Sequence, residues 1–257
     1  MIQFRKYNIT MTKKMGQRDT CVIIPCAGKG ARLGLATSKE VYQIEPSKRL
    51  IDYSLAHVKK SKHVDRIAFV INPSKHDLIN HLYEIKDSLP PFSLIFQKKN
   101  YFDWPGGVWS AEDLFCEKNI VLLPDSVLSY KGNLIDDMRE KMWGRNHLVF
   151  AYKKEDDAKR IGSLGALFVE KTGLITRYRE KPKNHLQQYN AFWCSFGFKK
   201  TIAQELFRVM TALAKGGAAN SEVFLKKHRA HGLEIKSYHD LGTWENLQKY
   251  LLLGGIK

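Results

Sequence analysis

Residues 21–34 read Cys21-Val22-Ile23-Ile24-Pro25-Cys26-Ala27-Gly28-Lys29-Gly30-Ala31-Arg32-Leu33-Gly34. A short apolar run stops in a glycine-rich turn, the pattern of a parallel strand buried on both faces. Closely spaced glycines let a backbone approach a phosphate and present its N–H groups as an anion nest. Arg32 adds a guanidinium able to grip phosphate oxygens bidentately. Gly28, Gly30 and Gly34 give G-x-G-x-x-x-G, one residue longer than the dinucleotide fingerprint, and no Gly-Lys-Ser/Thr closes a P-loop. Taken alone, the stretch reads equally well as a plain strand-to-helix turn.

Outward from it the chain alternates. Helical spacing of apolar residues covers 50–60, 75–87, 108–115 and 131–142, and strand-like runs cover 66–71, 92–96, 119–123 and 148–152. That alternation predicts successive βαβ units and a mainly parallel sheet. Beyond residue 160 the rhythm loosens, with strands expected at 164–169, 175–179, 191–198 and 233–238. Helices are expected at 202–214, 221–227 and 244–252. No Pro- or Ser-rich linker and no internal repeat divides the chain, so a single α/β domain is expected over 20–257. Its sheet is expected to be Rossmann-like, mixed but mainly parallel, and flanked by helices. Residues 1–19 are polar, basic and aperiodic and read as a mobile tail, with Met11 and Met15 as candidate internal starts.

Composition narrows the class. Apolar residues make up 44% and charged residues 26% of the 257 residues, which is ordinary for a globular protein and argues against disorder. No apolar run approaches the ~20 residues a membrane span needs. The first residues carry Arg5, Lys6, Lys13, Lys14 and Arg18 without an apolar core, unlike a signal peptide. A soluble, cytoplasmic protein is expected. Cys21, Cys26, Cys116 and Cys194 lack the paired spacing of a zinc site and are too few for a disulfide framework. The 42 basic and 26 acidic residues leave a net charge of +16. Solvated lysines would explain it, and so would attraction to phosphorylated ligands. No finger, helix-turn-helix or RNP-like strand is present, so nucleic acid is not expected as a partner.

Five short motifs, in order, turn the balance. Ala27, Gly28, Gly30, Arg32 and Leu33, then Lys39 ahead of an apolar stretch at 41–44, resemble the opening A-G-x-G-T-R-L…P-K signature of the sugar-1-phosphate nucleotidyltransferases (nucleoside-diphosphate-sugar pyrophosphorylases). Leu122-Leu123-Pro124-Asp125 resembles that family's strand-end aspartate. Leu164-Gly165-Ala166-Leu167, Arg179-Glu180-Lys181-Pro182 and Asp240-Leu241-Gly242-Thr243 resemble its glycine-bearing strand, its Glu-Lys-Pro motif and its D-x-G-T. The sequence departs at Ala31, where the family has threonine, and at Ser38, where it has a proline whose loss should loosen the turn. Lys98-Lys99-Asn100-Tyr101-Phe102-Asp103-Trp104 reads as an insertion between Gln97 and the glycine expected after it, Gly106 or Gly107.

The resemblance implies a GT-A-like fold and transfer of a nucleoside monophosphate from a nucleoside triphosphate to a sugar-1-phosphate or similar phosphorylated acceptor, with release of pyrophosphate. Such a reaction between anions needs positioning and charge neutralisation rather than a side-chain nucleophile. Arg32 and Lys39 would address the triphosphate and Lys181 the acceptor phosphate. Ala27, Gly28, Gly30, Gln97 and Gly107 would bind nucleotide, and Gly165 and Glu180 would bind acceptor. Asp125 and Asp240, each expected at a strand end, would hold Mg²⁺ against the α-phosphate. The rival acidic pairs Asp136-Asp137 and Asp156-Asp157 read as a helix start and a charged loop. Trp104, Trp109 and Trp193 could stack on a ring, although Trp193 in its apolar strand reads as core. His57, His63 and His76 read as exposed.

Besides a nucleic-acid binder resting on the net charge of +16, two other readings stay open. One is a cytidylyltransferase for an alditol, isoprenoid-precursor or phosphonate acceptor. The other is a binding protein of the same fold that has lost catalysis. Oligomeric state, including a homo-oligomer, is likewise open.

Overall fold

The apolar run that precedes the glycines is strand β1 (Thr20–Pro25), and it lies inside the main sheet of the computed structural model. That structure describes residues 19–252 apart from 29, 31, 32, 36, 102, 218 and 219. Of the expected tail, residues 1–19, all but Asp19 lie outside the described residues. Asp19 is tied down: its carboxylate takes Lys118 Nζ at 2.6 Å and Arg139 at 2.7 and 3.0 Å.

From β1 the chain passes through β2 (Gln43–Glu45), β3 (Lys48–Arg49), α1 (Leu50–Lys60), β4 (Val64–Ile71), α2 (His76–Glu84) and β5 (Phe92–Phe96). It continues with α3 (Asp103–Trp109), β6 (Lys118–Val121), β7 (Ser126–Ser129), α4 (Leu134–Lys141), β8 (Leu148–Lys154) and α5 (Ala158–Ile161). Next come β9 (Gly165–Val169), β10 (Ile175–Glu180), β11 (Ala191–Lys199), α6 (Ala203–Ala214) and α7 (Ser221–Lys227). The last elements are β12 (His231–Glu234), β13 (Ser237–Asp240) and α8 (Trp244–Leu252).

Among the described residues the large sheet runs β10-β9-β11-β6-β1-β4-β5, with β8 joined to β11 and β12 to β8. The run β6-β1-β4-β5 is parallel, as its helical crossovers require. Strand β11 pairs antiparallel with β6, β8 and β9, and so ties the second half of the chain to the first. The result is the expected single α/β layered domain with a mixed sheet. Cys21 and Ile23 of β1 face one hydrophobic layer, with Trp109 of α3 and Leu206 and Met210 of α6. Val22 and Ile24 face the other, with Leu55 of α1, Leu82 of α2 and Met138 of α4. Burial on both sides is why β1 carries no polar alternation. No described helix is long and apolar enough to cross a membrane.

Strands β2, β3 and β7 and the short helix α5 are not among the expected elements, and two expected elements are placed differently. The helix expected at 108–115 starts at Asp103 instead, and Trp104-Pro105-Gly106-Gly107 lie inside it. Proline is tolerated in a first turn, where N–H groups lack intrahelical partners. Gly106 is needed there because a Cβ would lie 2.4 Å from the carbonyl carbon of Tyr101. The strand expected at 233–238 is two strands. After β12 the chain leaves the large sheet, and β13 pairs antiparallel with β7 in a separate ribbon.

Candidate active site

A cleft of about 730 Å³ opens where the chain leaves the C-terminal ends of β1, β5 and β6, the edge where open α/β sheets receive ligands. It brings together Ala27, Gly28, Lys39, Gln97, Gly107, Asp125, Gly165, Glu180, Lys181 and Asp240. Gly30 stands beside this group at φ +65°, a left-handed conformation that favours glycine, with its open side toward the Lys39 stem. Arg32 and Ala31 lie outside the described residues.

The start of the glycine loop is held by backbone groups of its neighbours. Cys26 N–H donates to the Val70 carbonyl at 2.7 Å, and the Asn72 amide donates to the Ala27 carbonyl at 2.7 Å. The loop then passes over Lys39. The turn before Lys39 is not loosened by the serine, contrary to the sequence reading. Ser38 has φ −60°, the value a proline would impose, and both its N–H and its hydroxyl donate to the Asp77 carboxylate of α2. The N–H bond is one a proline could not make. Burial raises the Asp77 carboxyl, but the bonds from Ser38 outweigh it and hold it below the usual range. Asp77→Ala should therefore cost about 1 kcal/mol, roughly 2–4 °C in thermal midpoint for a domain of this size. A carboxyl held low in the folded state contributes its full stability above its unfolded value, so the deficit should begin to shrink as the pH falls below about 4 and go on shrinking as the folded group takes up its proton. Thermal melts of both proteins at pH 7 and pH 3 check this.

Next along the chain, Lys39 Nζ bonds Asp125 at 2.5 Å in a largely buried pair, exposed 15% and 18%. Burial lowers the Lys39 ammonium, but the facing Asp125 more than compensates, so it stays charged. Beneath it, Glu40 and Lys75 form a second pair at 2.6 Å, both buried. These pairs fix the direction of Lys39 into the cleft.

Asp125 comes four residues after β6 ends and directly before β7. The β7–β13 ribbon pairs Ser126 with Asp240, and the Leu241 N–H donates to the Asp125 carbonyl at 2.9 Å. Backbone pairing thus sets the two aspartates side by side, although the sequence separates them widely. Asp240 also accepts the Gly242 N–H at 2.9 Å, the bond that shapes its D-x-G-T turn. Among the described residues no group of three or more His, Cys, Asp or Glu side chains gathers where an ion could sit. Two carboxylates on paired backbone fit Mg²⁺, which takes one or two protein carboxylates when substrate phosphates and water complete its shell.

At the far end, the antiparallel pair β9–β10 sets Gly165 opposite Glu180. Glu180 accepts the Tyr178 hydroxyl at 2.8 Å. Burial raises its carboxyl above the ordinary range, with Tyr178 and Lys181 pulling the other way. Lys181 has φ +43°, which a non-glycine residue adopts only under constraint, and its N–H donates to the Leu164 carbonyl at 3.0 Å. At the near end, Gln97 donates to the Tyr101 carbonyl at 2.7 Å, so the inserted segment folds back onto it. Of the two candidate glycines, Gly107 lines the cleft, whereas Gly106 packs on the Tyr101 backbone.

Both rival acidic pairs are structural. Asp136 and Asp137 lie in the first turn of α4, and Asp157 caps α5 by accepting the Lys159 N–H at 2.9 Å. His57 is buried rather than exposed, with Nε2 on the Leu128 carbonyl. Trp109 is core. Trp104 and Trp193 line the cleft, and with Asp103, Ser163 and Tyr238 they are the residues the motifs missed. Trp193 had the signal of an apolar strand because its ring also packs on Phe196.

The family model for nucleotidyl transferases matches residues 21–252. No curated protein sequence matches the chain. The fold is similar to a structure described as a glucose-1-phosphate thymidylyltransferase from Bacillus anthracis in complex with sucrose. The TM-score is 0.72 at 17% identity, over 91% of this chain and 94% of that one. A UDP-glucose pyrophosphorylase complexed with UDP-glucose gives 0.69 at 18% identity, over 92% and 98%. UDP-glucose pyrophosphorylase from Acinetobacter baumannii gives 0.71 at 16%, over 91% and 92%. Identities this low speak for the fold alone, whereas the family model spans nearly all of the described chain. The chain belongs to the nucleotidyl transferase family, and its motifs resemble those of the sugar-1-phosphate branch.

Proposed function

We propose that this chain transfers a nucleoside monophosphate from a nucleoside triphosphate to a sugar-1-phosphate or a closely similar phosphorylated acceptor, releasing pyrophosphate. The observation that carries the reading is the convergence of Lys39, Asp125, Asp240, Glu180 and Lys181, drawn from distant parts of the sequence, on one cleft. The glycine loop offers backbone N–H groups to the triphosphate, and Lys39 neutralises charge beside it. Arg32 belongs to this end by its motif. Gln97 and Gly107 flank the base, while Gly165, Glu180 and Lys181 receive the acceptor. An acceptor phosphate oxygen then lies in line with the bond to the leaving pyrophosphate, and positioning supplies most of the rate.

Asp125 and Asp240 would hold Mg²⁺. When bound, the ion supplies charge neutralisation at the α-phosphate. Lys39 occupies Asp125 in this structure. Its ammonium holds that carboxylate in place at the cleft.

The assay is pyrophosphate release from the common triphosphates against a panel of phosphorylated acceptors, with and without Mg²⁺. Release that needs one triphosphate, one acceptor and the metal supports the reading. Nucleotide binding without release from any pair would favour the reading as a binding protein. Release with only a phosphonate or isoprenoid-precursor acceptor would favour the cytidylyltransferase reading.

A further inference from the structure

We propose that a second groove, reached past Glu180-Lys181 from the cleft, holds a phosphate group separate from the one that Lys181 receives. That phosphate is either the far end of a doubly phosphorylated acceptor or a free anion, and the acceptor alternative rests on the reading of the cleft given above. The groove has a volume of about 560 Å³. Arg179, Lys183, His185 and Tyr189 line it and do not border the cleft, whereas Glu180 and Lys181 border both. Tyr178 and Glu180 are hydrogen-bonded to each other on one face of β10, so alternation along the strand places Arg179 on the other.

The cations here have no structural task to explain them. Among the described residues, no carboxylate or carbonyl takes the Arg179 guanidinium or the Lys183 ammonium. The nearby carboxylates are engaged elsewhere, Glu180 by Tyr178 at 2.8 Å and Glu222 by Arg177 at 3.4 Å. Basic side chains commonly cover a helix C-terminus, and Ala214 at the end of α6 does line the groove. That end is already closed, however. The Thr211, Ala212 and Leu213 carbonyls accept the N–H groups of Lys215, Gly217 and Gly216. Tyr189 adds a neutral donor beside Arg179. Burial raises its phenol, and although Arg179 and Arg177 pull the other way, it keeps its proton at neutral pH. The connecting loop is bent twice, with Lys181 at φ +43° and His185 at φ +57°, left-handed values that non-glycine residues hold only under constraint. Such strain gathers at ligand clamps, and here it brings Lys183 and Tyr189 to the groove that Arg179 lines. Guanidinium, ammonium and phenol donors together exceed what the two oxygens of a carboxylate can take up. They suit a phosphate monoester, with three terminal oxygens and nearly two negative charges.

The test reads binding rather than turnover, by calorimetry on the full chain with glucose 1-phosphate, glucose 1,6-bisphosphate and inorganic phosphate. If the phosphate is the acceptor's own, the bisphosphate should bind about tenfold or more tightly than the monophosphate. If it is free, inorganic phosphate should still bind protein saturated with glucose 1-phosphate. R179Q and K183Q should each remove most of whichever gain is seen, and leave the affinity for glucose 1-phosphate unchanged. K171Q removes one charge from the turn between β9 and β10 and should remove none of the gain. Absence of both gains overturns the inference, as does a gain that R179Q keeps or that K171Q loses equally. Failure of glucose 1-phosphate to bind would refute the acceptor reading and not the groove, which the sensitivity of inorganic phosphate binding to R179Q would still show. Absence of pyrophosphate release beside the expected binding would refute only the transfer reaction.

Discussion

Asp125→Asn and Asp240→Asn should each lower pyrophosphate release by roughly 10²–10³-fold, the loss typical when one preorganised electrostatic group is removed from a transition state. Both side chains keep their size, and the ribbon that positions them is built from backbone pairing at Ser126 and Asp240, so circular dichroism should remain native. The two variants should differ in one respect. Asp125 also holds Lys39, whose burial alone would push its ammonium toward neutrality. Asp125→Asn should therefore weaken nucleotide binding as well as Mg²⁺ dependence, whereas Asp240→Asn should alter mainly the latter. Activity across a Mg²⁺ titration, read beside calorimetry with nucleotide alone, separates the effects. Wild-type release by either variant would remove that aspartate from the reacting centre.

How much of this site is legible in the sequence depends on what kind of contact makes it. The glycine loop, Lys39, Asp125, Glu180-Lys181 and Asp240 are legible through short motifs that resemble those of a known family, not through local chemistry alone, and the fold brings them to one cleft. Three helices are equally plain: the apolar period over 50–60, 221–227 and 244–252 coincides with α1, α7 and α8. The β7–β13 ribbon is not legible, because Ser126-Val127-Leu128-Ser129 and Ser237-Tyr238-His239-Asp240 are too short to show a period. Their pairing is decided by tertiary contact. The same holds for Ser38. Read locally it is a missing proline, and only the fold shows Asp77 taking both of its donors. Trp193 sits in a run of buried strand residues, and no sequence pattern distinguishes a core indole from one that lines a cleft.

The division of labour among the cations yields the second large effect. Lys39 lies under the glycine loop, with its ammonium at about 4.0 Å from where a Gly28 Cβ would stand, while Lys181 follows Glu180 at the other end of the cleft. If the loop end serves the triphosphate, Lys39→Ala should weaken nucleotide binding in the absence of acceptor. By the role its motif implies, Arg32→Ala should act in the same direction. Lys181→Ala should leave nucleotide affinity near wild type, yet raise the acceptor concentration needed and slow turnover. A charge-assisted contact contributes ~1.5–3 kcal/mol, so one to two orders of magnitude are expected in the affected step. Lys39→Ala carries an added cost, because it leaves the Asp125 carboxylate without its counter-charge until metal binds. High Mg²⁺ should therefore recover part of the loss in Lys39→Ala and none in Lys181→Ala. Calorimetric titration of nucleotide into the wild type and all three variants, at low and high Mg²⁺, decides it. Equal weakening of nucleotide binding by Lys181→Ala and Lys39→Ala would mean that one anion spans both ends, and the separation of the two subsites would have to be given up.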